Sequence, residues 1–229
     1  KNLIYKEKKN FLKKKYIFLK KINDNKNVKK LKKIKPDLFI IGGYPQIFKK
    51  KIFQIPKLMT INLHGGPLPS YRGGSPLNWQ IINMKKNIGI SIIKVDQGID
   101  TGPIIADARF PFRKHDDIAT IHKTANKIFV KLLKKILTNL LKGKVKLKPQ
   151  TNINKKYWYQ RSDQDGLLNL KKNSAQKAIY FVKALTSPYP GAWVYLKNKK
   201  KLRIFELEIY KKNFLKIKGQ IEIIKKKIF

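Results

Sequence analysis

At 229 residues, 42% hydrophobic and 11% aromatic, the chain is globular in composition, and lysine interrupts every apolar run well short of the roughly 20 residues that a membrane-spanning helix needs. Cysteine is absent, which excludes disulfides and thiolate-bound metal, and three histidines (His64, His115, His122) leave little for a histidine-rich metal site. The formal net charge of +41 would hold a polyanion at low salt, yet arginine stands only at 72, 109, 113, 161 and 203 and lysine is spread along the chain, so the charge reads as a bias of composition rather than a built nucleic-acid surface. No signal-peptide pattern opens the chain, and a cytoplasmic protein with no membrane partner and metal-free chemistry is expected.

Residues 1–35 are lysine-rich, with Val28, Leu31 and Ile34 spaced as one face of a helix. Asp37 to Ile41, closed by Gly42 and Gly43, reads as a buried strand, and Tyr44 to Ile55 as a helical connector. Leu58 to Leu63 is a second strand. Ser75 as N-cap and Pro76 at the first helical position predict a helix from Leu77 to about Lys85, followed by a third strand from Ile88 to Val95. Asp117 caps a long helix whose apolar residues, Ile118, Ile121, Ala125 and Phe129 among them, recur at helical spacing until Gly143. Alternation of strand and helix predicts an α/β fold, a parallel sheet with covering helices. From Lys144 to Gln160 the periodicity stops. Ser174 then starts a helix that Pro188 and Pro190 end, and Trp193–Leu196, Leu202–Ile209 and Gly219–Ile224 read as short antiparallel strands. The expected division is a catalytic domain over 1–145, a linker over 146–160 and a small, partly β C-terminal domain over 161–229.

The chemistry gathers around the stretch INLHGGPLPSYRGGSP, residues 61–76. Side chains alternate across a strand, so Asn62 and His64 share one face near the strand's C-terminal end, the edge at which open parallel sheets bind ligands. The glycine- and proline-rich loop after them lets backbone approach a ligand closely. A carboxylate partner comes from the turn after the third strand, where Asp96 and Asp100 stand among five acids (with Asp107, Asp116 and Asp117) out of only 13 in the chain. An amide donor, an imidazole and a carboxylate together make an acyl-transfer set, with no serine or cysteine nucleophile required if the acceptor is an amine.

These motifs, with DQGIDTGP at residues 96–103, resemble the folate-dependent formyltransferases. The family's Asn-x-His, Leu-Pro-x-x-x-Gly and Asp-x-Gly patterns fall on Asn62, His64, Leu68-Pro69, Gly73, Asp100 and Gly102, and the resemblance assigns the carboxylate role to Asp100 rather than Asp96. It implies the formyltransferase fold, with a Rossmann-like catalytic domain and an OB-like, incomplete C-terminal domain, and 10-formyltetrahydrofolate as co-substrate. By analogy Gly43, Tyr44, Pro45, Gln46 and Ile47, with backbone from Val95 and Asp96 to Gly98, line the pteridine pocket, Tyr44 serving there or as a packing residue. Arg72, Gly73 and Pro76 are the expected acceptor contacts, Arg72 alternatively anchoring its loop or standing as a solvated surface charge. The segments at 75–79, 159–166 and 182–192 look most like the branch that formylates nucleotide-linked amino sugars, with methionyl-tRNA as the runner-up acceptor and a non-catalytic folate-binding or RNA-binding remnant as a further alternative. The resemblance runs from about Lys35 onward, and the glycine-bearing unit that opens the family has no match in KNLIYKEKKNFLKKKYIF, which predicts a chain shortened at both ends.

Overall fold

The computed structural model describes residues 19–151, 153–170, 172–196 and 198–208, together with strand residues 223–224 and 227–228. Helix α1 (Asn25–Ile34) buries Val28 and half-buries Leu31, while Ile34 at its last turn is exposed. A four-stranded sheet follows the order β1 (Leu38–Ile41), β2 (Met59–His64), β4 (Asn87–Lys94), β5 (Ile104–Pro111). β1 and β2 are parallel, with Ile41 opposite Asn62, but β4 runs antiparallel to both of its neighbours, with His64 opposite Ser91 and Ile61 opposite Lys94.

The sheet is therefore mixed where strand–helix alternation alone predicts a parallel one. Alternation of side chains and of elements is the same for either strand direction. After helix α3 (Pro76–Ile82) the chain re-enters the sheet at Asn87 in reverse, beside β2. β5 has no counterpart among the expected strands, because its inward positions include small Ala106 and Ala108, which mark a strand weakly. β1, expected to be buried, closes the strand order at one side and leaves Ile40 46% exposed. The connector at 44–55 forms only one helical turn, α2 (Lys50–Phe53).

Helix α4 (Ile118–Leu141) begins at the expected cap: Asp117 Oδ1 accepts from the Thr120 amide at 2.8 Å, and the Asp117 amide donates to Thr120 Oγ1 at 2.9 Å. Its stripe of Ile118, Ile121, Ala125, Phe129 and Ile136 is buried in the same core as Ile88, Ile90 and Ile92 of β4. Ser75 holds the N-cap position of α3 with Pro76 at the first helical position, as expected, but its side chain makes no cap bond. It sits in the left-handed region (φ 49°), and its Oγ accepts instead from the Arg161 amide at 3.1 Å and Gln160 Nε2 at 2.9 Å.

The segment expected as a linker is held at several points. Lys148 pairs with Ile104, and β6 (Tyr157–Trp158) pairs in parallel with β3 (Arg72–Gly73) in the loop after β2. Trp158 stacks on Tyr71 with centroids 5.4 Å apart and lies 4.8 Å from Trp79. Helix α5 (Ala175–Leu185) packs on α3, and Asn78 Nδ2 donates to the Ala184 carbonyl at 2.8 Å, so the core does not break at the linker. β7 (Ala192–Tyr195) and β8 (Lys201–Ile204) form an antiparallel hairpin, and β9 (Ile223–Ile224) pairs with β10 (Lys227–Ile228). Of the strands expected over 202–209 and 219–224, Ile209 and residues 219–222 lie outside the described residues.

One contact across this shared core is sensitive to pH. His122 Nε2 on α4 lies 3.1 Å from Tyr189 Oη, and burial pushes its pKa below the ordinary 6.5. The fold prefers the neutral ring, so this contribution is complete above 6.5 and is lost as pH falls below it, where the unfolded chain takes up the proton first. The melting temperature is expected to fall from about pH 7 to about pH 5, and to fall less in His122→Gln. Equal slopes for the two proteins would discard the assignment.

Candidate active site

Strand alternation places Asn62 and His64 on one face of β2 and turns Ile61 into the core on the other. β4 leaves the sheet beside Thr60, where the Val95 amide donates to the Thr60 carbonyl at 2.8 Å, and the loop that follows brings Asp100 back to Asn62 and His64. The site thus lies on the sheet face at the C-terminal end of β2, as the spacing of Asn62 and His64 predicts, and the reversed β4 delivers its loop to that face from beside Thr60.

Asp100 is the hub. Its Oδ1 accepts from Asn62 Nδ2 at 3.3 Å, its Oδ2 accepts from the Gly73 amide at 2.9 Å, and Oδ2 lies 3.5 Å from His64 Nδ1. The three residues expected to converge therefore do so. The His64 ring is 5% exposed, with Nε2 2.5 Å from the Tyr71 carbonyl. That carbonyl can only accept, so Nε2 carries a hydrogen. Gly66 makes the approach possible: a Cβ there would lie 2.9 Å from Nε2 and 2.8 Å from the Tyr71 oxygen. Asp100 itself has φ 53°, a conformation that the surrounding contacts must hold.

The expected acceptor contacts are placed differently. Arg72 is 4% exposed, and its Nε and Nη2 donate to Gln150 Oε1 at 3.0 and 2.7 Å while Nη1 donates to Tyr157 Oη at 3.3 Å. These bonds tie it to the 146–160 segment, the loop-anchoring alternative. The Gly73 amide is taken by Asp100, and Pro76 sits half-buried at the start of α3. Pairing of β3 with β6 turns this stretch inward.

The residues expected at the pteridine pocket divide between two levels of β2. Gly43 to Ile47 follow β1 where it ends beside Asn62, whereas Val95 to Gly98 leave beside Thr60. Tyr44 and Ile47 are 37% and 69% exposed, Pro45 is exposed, and Gly43 has φ 68°. Gln46 ties down the preceding segment, accepting from the Ile22 amide at 3.0 Å and donating to the Lys20 carbonyl at 2.8 Å. Asp96 braces its own turn, accepting from Thr101 Oγ1 at 2.6 Å and the Gly98 amide at 3.1 Å. Gln150 and Tyr71 escape sequence reasoning altogether. One acts through an amide in a lysine-rich stretch, the other through a main-chain carbonyl, and neither leaves a motif. Among the described residues no three potential metal-ligating side chains gather.

A mixed α/β sheet whose face carries an amide, an imidazole and a carboxylate in mutual contact, without a nucleophile of its own, defines a site of the acyl-transfer class. The chain belongs to the formyl transferase family: the model of the formyl transferase domain matches residues 5–137, and that of the formyl transferase C-terminal domain matches residues 161–229. The first match begins well before Lys35, where the motifs alone begin. Over 207 residues the chain is 34% identical to a methionyl-tRNA formyltransferase of Thermodesulfovibrio yellowstonii, a stretch covering 89% of this chain and 66% of that relative, so the chain spans just under two thirds of the relative's length. A solved 4-N formyltransferase from Francisella tularensis superposes with a TM-score of 0.68 at 26% identity, covering 81% of this chain and 76% of that one. A sugar N-formyltransferase from a Shewanella species gives 0.69 over 83% and 77%, at 23% identity, a likeness of fold.

Proposed function

We propose that the protein moves a formyl group from 10-formyltetrahydrofolate to a primary amine, and the observation that carries this is the convergence of Asn62, His64 and Asp100 on one point. The amine nitrogen attacks the formyl carbon, the bond from that carbon to the folate nitrogen breaks, the amine loses a proton and the folate nitrogen regains one. Asn62 keeps an amide hydrogen beyond the one given to Asp100, available to the developing oxyanion. His64 reaches that oxygen by exchanging it for the Tyr71 carbonyl at Nε2. Exposed Tyr44 and Ile47 offer apolar surface to the folate ring.

The acceptor of this reading is a nucleotide-linked amino sugar, supported by the sequence pattern at 75–79, 159–166 and 182–192. Methionyl-tRNA is the second reading, favoured by the relative of that name and by the net charge of +41. Release of tetrahydrofolate, followed with the full-length protein and each acceptor in turn, is expected with the amino sugar. Release with methionyl-tRNA alone selects the second reading. No release with either, or with simpler amines, retires formyl transfer.

A further inference from the structure

We infer that Gln150, in the segment between the two family domains, is a positioning residue that holds Asp100 in place for the formyl transfer proposed above, on which the inference rests. Its side chain makes four hydrogen bonds. Nε2 donates to the main-chain carbonyls of Asp100 and Gly102, each at 2.8 Å, and Oε1 accepts from Nε and Nη2 of buried Arg72. Two donors and two acceptor sites are the whole capacity of a primary amide, and all are filled.

The consequence is mechanical. Asp100 occupies a left-handed backbone conformation that a side-chain-bearing residue adopts rarely, on a loop that has come back over the sheet face. Gln150 grips that backbone from one side. From the other, the Gly73 amide and Asn62 grip the carboxylate, and Gly73 is held by its pairing with Trp158. Both grips come through the 146–160 segment, which thereby builds the site as well as joining two halves. Arg72 completes the clamp, because the guanidinium that fixes Gln150 belongs to the same β3 that presents the Gly73 amide.

No other residue type does this at position 150. Glutamate keeps the acceptors for Arg72, as a stronger charged pair, but sets a carboxylate oxygen against two carbonyls. Leucine removes both halves. Gln150→Glu and Gln150→Leu in the full chain are expected to lower kcat about 10- to 100-fold with KM for the formyl donor unchanged, as misplacement of a catalytic group does. Neither should lower kcat further in an Asp100→Asn background, since a residue acting only through Asp100 has nothing left to position. A structural role alone would lower rates in both backgrounds. Wild-type kcat in Gln150→Glu, or additive losses in the double variants, would overturn the inference. Amide hydrogen exchange tests it without turnover: in Gln150→Glu the Gly73 amide should exchange faster while that of Gly74, bonded to the Trp158 carbonyl at 2.7 Å, keeps its rate. Unchanged exchange at Gly73 would overturn the inference too. A wild-type protein without formyl transfer, but with the exchange difference intact, sinks the functional reading and leaves the positioning role standing.

Discussion

His64→Ala is expected to lower kcat for formyl transfer about 100- to 1000-fold, and Asn62→Ala by a similar factor, the usual loss when one donor to a developing oxyanion is removed. The two variants differ in a useful way. His64 is buried between Asp100 and the Tyr71 carbonyl, so its removal also takes the imidazole hydrogen from that carbonyl, a penalty of about 1–3 kcal/mol in stability if the oxygen stays dry, while Asp100 Oδ2 keeps the Gly73 amide. Asn62 is half-buried and gives Asp100 a long bond of 3.3 Å, so Asn62→Ala should keep more of its stability while losing its rate. Single-turnover rates with the formyl donor, read beside thermal melts, separate the two effects. If both variants turned over at the wild-type rate, the cluster would have no catalytic part.

Gly73→Ala should be the most damaging single methyl group in the loop. Gly73 has φ 94°, outside the range an alanine adopts readily, and an added Cβ would lie 2.2 Å from the Trp158 carbonyl oxygen and 3.2 Å from the Trp158 amide nitrogen. These are backbone atoms and cannot swing aside. The pairing of β3 with β6 has to open, and with it goes the Gly73 amide that orients Asp100. A stability loss of about 2–4 kcal/mol is expected, accompanied by a fall in kcat in the molecules that remain folded. Chemical denaturation with an activity measurement checks both. A variant with wild-type midpoint and rate would show that the loop tolerates what its geometry forbids.

Local patterns told most about the pieces. The spacing of Asn62 and His64 placed them on one strand face, the cap at Asp117 and the stripe after it placed the long helix, and the scarcity of acids drew attention to the turn holding Asp100. Strand direction was not legible, since alternation of side chains is the same in parallel and antiparallel strands. Nor could the role of Arg72 be read, because its partners Gln150 and Tyr157 lie 78 and 85 residues further along. The arginine looks like a surface charge until the segment that buries it is in place. Gln46 and Asp96 show the reverse case: polar residues that read as free to meet a ligand, but that the local fold has already engaged.

The sharing of one core by α3 and α5 bears on how such a protein diversifies. Ala178, Val182 and Leu185 shut off the same apolar surface that Leu77 and Ile81 would otherwise show to water. The C-terminal portion is thus no detachable appendage that recombination could trade for another specificity element. A replacement inherits an obligation to match the helix beneath it, and drift in either portion must be answered in the other.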